Sequence, residues 1–217
     1  MRSERISISR VHFPITTLGP GRRIGIWFQG CSIRCTGCIS ADTWADDRGL
    51  TDVANLLAEI SPWVAEADGV TITGGEPFNQ QAALLEVLRG LNLRDDQDLL
   101  LFSGYAVERL SETLALASGL IDALISDPFD LSASQTLALR GSDNQRLHLL
   151  TDLGRVRFET YNRQLVDADR SLDVMFDDSG TVWLAGIPRR GDMLRLRHLL
   201  SIQGDDIRTT DATRHLP

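Results

Sequence analysis

Hydrophobic residues along this chain form short β-type runs that alternate with segments of helical periodicity. The runs, rich in β-branched and aromatic residues, predict strands at Arg5–Phe13, Ile24–Gln29, Val70–Thr73, Leu99–Phe102 and Asp122–Ser126. Helical spacing predicts helices over Asp52–Glu66, with Thr51 as N-cap, and over Asn79–Arg89 and Tyr105–Ala117. Strands separated by helices of this length favour right-handed crossovers, so we expect an α/β fold with a mostly parallel sheet.

The pattern changes at about residue 147. A strand is predicted at Leu147–Leu150, a hairpin from Asp173–Phe176 and Thr181–Ala185, and a helix after Gly191. We therefore divide the chain into a core of residues 1–146 and a C-terminal extension of residues 147–217. The extension is expected to pack on the core or to complete it, and to end in a polar, mobile segment from Ile207.

Composition limits the class of protein. The chain has 217 residues, of which 42% are hydrophobic and 24% charged, enough to bury a core without help from a metal. The net charge of -8 argues against nucleic acid as a partner, and the 22 basic residues are all arginines, which excludes lysine chemistry. With neither a long uncharged apolar run nor a secretory signal at the start, we expect a cytoplasmic protein that does not bind a membrane.

The cysteines carry the clearest chemical signal. Cys31, Cys35 and Cys38 lie within eight residues, directly after the strand that ends near Gly30. An odd number of clustered cysteines points to metal in a reducing compartment rather than to disulfides. Three thiolates on one loop can hold three irons of a cubane cluster and leave the fourth iron open for a ligand. The spacing therefore predicts these three residues as iron ligands.

A structural zinc site is the alternative. Three cysteines and one histidine form such sites, and the chain offers His12, His148, His198 and His215. Zinc ligands usually come as two close pairs with a longer spacer, and none of these histidines has the usual offset from the cysteines. Zinc is therefore the less favoured of the two metals.

The segment from Cys31 to Cys38 resembles the cluster motif of the radical S-adenosylmethionine superfamily. Gly74-Gly75-Glu76-Pro77, at the end of a predicted strand, is similar to the segment with which that family holds the methionine amino group of its cofactor. The resemblance implies an incomplete βα barrel that binds a [4Fe-4S] cluster and S-adenosyl-L-methionine. It implies that no side chain is catalytic beyond the cluster and the cofactor. It also implies that the cofactor is contacted by Gly37, Ile39, Gly74, Gly75, Glu76 and Pro77.

One difference from the superfamily motif indicates which branch of the superfamily the chain resembles. Many superfamily members carry an aromatic residue directly before the third cysteine, whereas this chain has Gly37. That ending, with the later segments, is similar to the glycyl-radical enzyme activases that include the activating protein of anaerobic ribonucleotide reductase. The likeness runs from Leu18 to Arg146 and includes Thr43-Trp44, Ser103-Gly104-Tyr105, Ile125–Phe129 and Arg140–Arg146.

The resemblance implies reductive cleavage of S-adenosylmethionine to a 5′-deoxyadenosyl radical that abstracts hydrogen. In an activase the hydrogen comes from a glycine of a partner enzyme, and the electron from a donor such as flavodoxin or ferredoxin. Two alternatives stay open. The same radical chemistry acts on a small molecule or a peptide, or the chain is a noncatalytic metal-binding module.

Overall fold

The computed structural model describes residues 3–177 and 180–204. The strands are β1 (Arg5–Ile15), β2 (Arg23–Phe28), β3 (Leu50–Asp52), β4 (Gly69–Gly74), β5 (Asp98–Phe102), β6 (Ala123–Ser126), β7 (Arg146–Leu149), β8 (Leu172–Phe176) and β9 (Val182–Gly186). The α-helices are α1 (Val53–Val64), α2 (Gln81–Gly90), α3 (Ser111–Leu116), α4 (Asp152–Phe158) and α5 (Asp192–Ile202). Short 3₁₀ turns at Pro77–Gln80 and Val107–Leu110 lead into α2 and α3.

Seven strands form one sheet in the order β3-β1-β2-β4-β5-β6-β7, and β8 and β9 form a separate hairpin. The four central strands, β2, β4, β5 and β6, are parallel, while β1, β3 and β7 are antiparallel to their neighbours. The mixed α/β fold with a parallel sheet centre is therefore confirmed. Because parallel strands end at the same edge, the loops after β2, β4 and β5 lie side by side.

The two faces of the sheet are covered by different parts of the chain. Side chains of one face, such as Ile26 and Leu101, form the largest core cluster with α1, α2 and α3. The next residue along β5, Leu100, points to the other face, as alternation along a strand requires, and packs against Phe158 of α4. On that second face Trp27 also contacts the β8–β9 hairpin, through Ala185. The elements after β7 therefore cover the face that the crossover helices leave open.

Two local features differ from the sequence prediction. Thr51 is not a helix cap but lies in β3, paired with Ile6, and α1 begins at Val53. The first amides of α1 are instead satisfied from the start of the chain, with Ala54 N donating to Ser3 Oγ. The sequence also gave no indication of α4, which begins after Thr151, whose hydroxyl accepts a hydrogen bond from Gly154 N.

The predicted strand at the start of the extension and the later hairpin are confirmed, while residues 178–179 of its turn and the tail from Ile207 lie outside the described residues. β7 continues the main sheet beside β6. The division at residue 146 stays a prediction. Within residues 3–177 and 180–204, the helices are too short or too polar to span a bilayer.

A buried ion pair joins three elements at the end of the sheet opposite the loops. Arg23 Nη2 of β2 lies 2.6 Å from Asp98 Oδ1 of β5, and both side chains are fully buried. Arg157 of α4 contacts the other carboxylate oxygen, at 2.8 Å. The Arg23 guanidinium also donates to Thr71 Oγ1 and to the carbonyl of Val70. Asp98 therefore neutralises a guanidinium that has no access to water.

We predict that Asp98→Asn lowers the free energy of unfolding by about 3–5 kcal/mol, because it leaves Arg23 buried without its counter-ion. Urea denaturation of the metal-free protein measures this loss. Asp96→Asn is the control, since Asp96 forms an exposed pair with Arg94 and should change the free energy by less than about 1 kcal/mol. Equal effects of the two substitutions would contradict this assignment.

Candidate functional site

The three cysteines lie on a loop whose two ends are joined by backbone hydrogen bonds. Gly30 N donates to Thr43 O at 2.7 Å, and Cys31 N donates to Trp44 O at 3.3 Å. Within the loop, Cys38 N donates to Cys35 O at 3.1 Å. These bonds close the segment after β2 into a loop that carries all three cysteines of the chain.

The thiols are free and shielded to different degrees. Cys31 is buried, and Cys35 and Cys38 are partly buried. Burial raises the pKa of Cys35, and it raises the pKa of Cys38 to about 11. Cys31 adds to both shifts, so the three sulfur atoms lie within electrostatic range of one another. Because a cysteine binds metal as its thiolate, metal binding by these three residues would release protons.

The donor set suits a cluster of several irons. Among the residues that the structure describes, no three side chains of His, Cys, Asp or Glu are grouped so that they could hold one metal ion. A cubane does not require such convergence, because each thiolate binds a different iron. Of the histidines considered for zinc, His12 packs against Trp27 and His148 Nε2 lies 2.9 Å from Ser126 Oγ. Neither contact involves a cysteine.

The loop after β4 is locked to the cysteine loop. Gly75 N donates to Phe28 O at 2.8 Å, and Glu76 N donates to Gly30 O at 2.9 Å. A Cβ atom added at Gly75 would overlap the carbonyl oxygen of Gly30, and Gly74 has a φ of +107°, which favours glycine. The family resemblance implies cofactor contacts at both of these glycines. At Gly75 the space is taken by the backbone of the cysteine loop.

Glu76 extends this connection to a third loop. Its carboxylate is 1% exposed and accepts hydrogen bonds from Phe78 N at 3.0 Å, Ser103 Oγ at 2.9 Å and Gly104 N at 2.8 Å. Burial raises the pKa of Glu76, while these donors act in the opposite direction. The negative charge also contributes to the raised pKa of Cys35, after burial and the charge of Cys31. Glu76 thus fixes the loop after β5 against the loop after β4.

An exposed polar rim, formed by Ser32, Asn79 and Tyr105, crosses the same three loops. The Tyr105 hydroxyl lies 2.8 Å from Ser32 Oγ and donates to Asn79 Oδ1 at 2.8 Å. Sequence reasoning assigned no role to Ser103, Gly104 or Tyr105 beyond the resemblance. The order of the parallel strands contained the signal, since the loop after β5 has to lie beside the loop after β4.

The other predicted cofactor contacts are placed around these loops. An added Cβ at Gly37 would lie 3.1 Å from Leu131 Cδ1 and 3.4 Å from Phe129 Cε1, so the segment that follows β6 packs against the cysteine loop there. Ile39 is 42% exposed, and Pro77 is buried at the start of its 3₁₀ turn. The iron ligands and the six cofactor contacts stay predictions.

Comparison with known proteins agrees with this arrangement. The sequence model of the 4Fe-4S single cluster domain family matches residues 17–148, more than half of the chain. The chain belongs to this family. The match includes the cysteine loop, the loop after β4 and most of the main sheet.

Similar family relatives share one description, anaerobic ribonucleoside-triphosphate reductase-activating protein. The protein from Enterobacteria phage T4 is 29% identical over 139 residues, which are 62% of this chain and 88% of the relative. Those from Vibrio cholerae and Escherichia coli K12 are 29% and 25% identical over 149 residues, which are 64% of this chain and 96% of each relative. This 4Fe-4S single cluster domain protein is therefore longer than these relatives, and α4, β8, β9 and α5 lie beyond the family match.

We predict that Gly75→Ala lowers the iron bound per chain after anaerobic reconstitution several-fold, because the new methyl group forces the two loops apart at a rigid backbone carbonyl. Gly104→Ala is the matched control, since its added Cβ would lie 2.7 Å from the flexible end of the Ile33 side chain and an ordinary 3.7 Å from Glu76 Oε2, with no backbone in the way. Iron and sulfide assays measure the difference. Full cluster content in Gly75→Ala would show that the loops do not need this close approach.

A second prediction follows from the buried Glu76 carboxyl group. Because its pKa is raised in the folded state, its stabilising contribution is complete below the ordinary value of 4.5 and is lost as pH rises through the folded value. The difference in unfolding free energy between the wild type and Glu76→Gln should therefore shrink as pH increases above 4.5. Urea denaturation across this range measures it, with the exposed Glu112→Gln as control, and a difference that is independent of pH would refute the prediction.

Proposed function

We propose that this chain is a radical S-adenosylmethionine enzyme that binds a [4Fe-4S] cluster through Cys31, Cys35 and Cys38. The observation that carries the proposal is the backbone lock between the cysteine loop and the Gly74–Pro77 loop, in a chain of a 4Fe-4S family. Three thiolates leave one iron of a cubane without a protein ligand, and the second loop lies directly beside them.

When bound, the cluster supplies the electron that cleaves S-adenosyl-L-methionine and yields a 5′-deoxyadenosyl radical for hydrogen abstraction. The chain's own residues bind the cofactor and orient it. Gly37, Ile39, Gly74, Gly75, Glu76 and Pro77 are proposed to line the cofactor site, in the incomplete βα barrel that the resemblance implies. Glu76 holds two of the surrounding loops in register through its three hydrogen bonds.

As substrate we propose a glycine of a partner glycyl-radical enzyme. The relatives in phage T4, Vibrio cholerae and Escherichia coli are activating proteins of anaerobic ribonucleoside-triphosphate reductase. The exposed rim of Ser32, Asn79 and Tyr105 lies beside the cysteine loop, where a protein substrate has access. A flavodoxin or ferredoxin in the cytoplasm is the proposed electron donor.

A second candidate keeps the radical chemistry but uses a small molecule or a peptide as substrate. It is favoured by the extension, since α4 and the β8–β9 hairpin cover the second face of the sheet through Phe158 and Ala185. A covered face suits an enclosed pocket better than a large protein substrate. The noncatalytic metal-binding module is the alternative to both.

We predict that the anaerobically reconstituted protein, reduced with dithionite in S-adenosylmethionine, forms 5′-deoxyadenosine, and that Cys35→Ala forms none. Chromatography measures the product. Thr36→Ala is the control, because this exposed residue of the same loop has no thiol and should leave product formation unchanged. A complete cluster that never yields 5′-deoxyadenosine would contradict the proposal and favour the binding module.

Adding a glycyl-radical enzyme from the same organism tests which of the two proposed substrates is correct. An electron paramagnetic resonance signal of a glycyl radical on that partner supports the activase. Formation of 5′-deoxyadenosine without this signal would move the proposal to the small-molecule or peptide substrate.

A further inference from the structure

Arg140 carries a buried positive charge whose hydrogen-bond partners, among the described residues, are all neutral. The residue is only 3% exposed, and its Nη atoms donate to the carbonyls of Ala138 at 3.2 Å and Tyr161 at 3.3 Å and to Asn162 Oδ1 at 3.2 Å. Its Nε atom is buried and has no partner in the part of the chain that the structure describes. A buried charge without a counter-ion is strongly unfavourable, so this position requires an explanation.

A second arginine, Arg170, lines the same small cavity as Arg140. Its Nε atom is also buried without a partner among residues 3–177 and 180–204, and its Nη atoms donate to Gln135, to Oε1 at 3.2 Å and to the main-chain carbonyl at 3.3 Å. The cavity has a volume of about 10 Å³, and apolar side chains such as Leu165 and Ile187 complete its wall. This volume is close to the lower limit for one water molecule, so the cavity accommodates a water or a single-atom ion.

Asp169 also lines the cavity, but Arg163 neutralises its charge. Its two carboxylate oxygens accept from Arg163 at 2.6 Å and 2.9 Å, and one of them also accepts from Val166 N at 2.7 Å. The Arg163 guanidinium accordingly holds the pKa of Asp169 below its usual value. Burial lowers the pKa of Arg140, although the charge of Asp143 acts in the opposite direction. The cavity wall therefore keeps a net positive charge, in a chain whose overall net charge is -8.

We propose that this cavity is an anion site, in which one chloride ion accepts hydrogen bonds from Arg140 Nε and Arg170 Nε. A water molecule would satisfy the two N–H groups but would bring no negative charge, whereas a halide satisfies both the donors and the charge. Oxyanions such as sulfate and phosphate are too large for a cavity of this volume. None of the residues proposed for the radical chemistry takes part, so the inference is independent of the proposed function.

The proposed site lies where the segment after β6 meets the C-terminal extension. Leu165 N donates to Thr136 O at 2.8 Å across this junction. Arg140 belongs to the part of the chain that the family match covers, and Arg170 lies beyond it. A bound anion therefore joins the extension to the family domain and stabilises the packing between them.

Urea denaturation of the full-length chain tests the site, with chloride exchanged stepwise for gluconate at constant ionic strength. Above half-saturation, the folding equilibrium constant should rise about tenfold for each tenfold increase in chloride, because the ion binds only the folded state. Arg170→Gln should abolish this dependence, since it removes one of the two charged donors at a residue that is only partly buried. Arg189→Gln is the matched control, because Arg189 is exposed, pairs with Asp167 and lies outside the cavity wall. Its chloride dependence should equal that of the wild type.

A wild type whose stability does not depend on chloride would overturn the inference, and so would a dependence that Arg170→Gln retains. A measurement on the wild type locates the ion directly and covers the case in which the variant does not fold. Crystals soaked in bromide, which replaces chloride and scatters X-rays anomalously, should show a peak within hydrogen-bond distance of the Nε atoms of Arg140 and Arg170. An ordered water at this position, with no bromide, would overturn the inference and identify the cavity as a hydration site.

Discussion

The backbone contact between the loops after β2 and β4 is the constraint on which the rest of the site depends. The parallel pairing of these strands, with Phe28 opposite Gly74, does not stop where the strands end. It continues as hydrogen bonds from Gly75 N to Phe28 O and from Glu76 N to Gly30 O. Only a residue without a side chain fits where Gly75 meets Gly30, so the two chemical motifs of the sequence are adjacent because the sheet register makes them so.

Further hydrogen bonds connect this contact to the loop after β5 and to the exposed polar rim. The Glu76 amide is held by the cysteine loop, and its carboxylate, buried by that placement, accepts from Ser103 and Gly104 of the loop after β5. Tyr105, two residues after Ser103, then reaches back to Ser32. A buried carboxylate that accepts three hydrogen bonds is a rigid connection, because the loss of a donor would leave negative charge less well satisfied in a site shielded from water.

The sequence predicted the parts of the fold that depend on local pattern. The central strands and the β8–β9 hairpin were predicted because β-branched runs and turn residues mark them, and the cysteine spacing singled out the loop after β2. The prediction of Thr51 as the N-cap of α1 was wrong, because the Ala54 amide in the first turn of this helix is satisfied by Ser3, which is far away in sequence. Helix α4 was missed since it is short and contains Gly154, and its place depends on Phe158 packing under the sheet.

Arg10 of β1 connects the extension to the cysteine loop. The Arg10 guanidinium lies between the rings of Trp27 and Trp183, 5.1 Å and 4.6 Å from their centres, and forms a 2.5 Å ion pair with Asp42. Trp183 belongs to β9, and Asp42 to the loop that carries the cysteines. Packing of the hairpin is therefore coupled to that loop, an arrangement that the family match alone, ending at residue 148, did not reveal.

We propose that Cys31, Cys35 and Cys38 hold a cubane cluster whose fourth iron has no protein ligand. Mössbauer spectroscopy of the protein reconstituted with ⁵⁷Fe tests this most directly, with spectra taken before and after S-adenosylmethionine is added. We expect one iron of the four to change its Mössbauer parameters on addition, while the other three keep theirs. Four equivalent irons that do not respond to S-adenosylmethionine would contradict it.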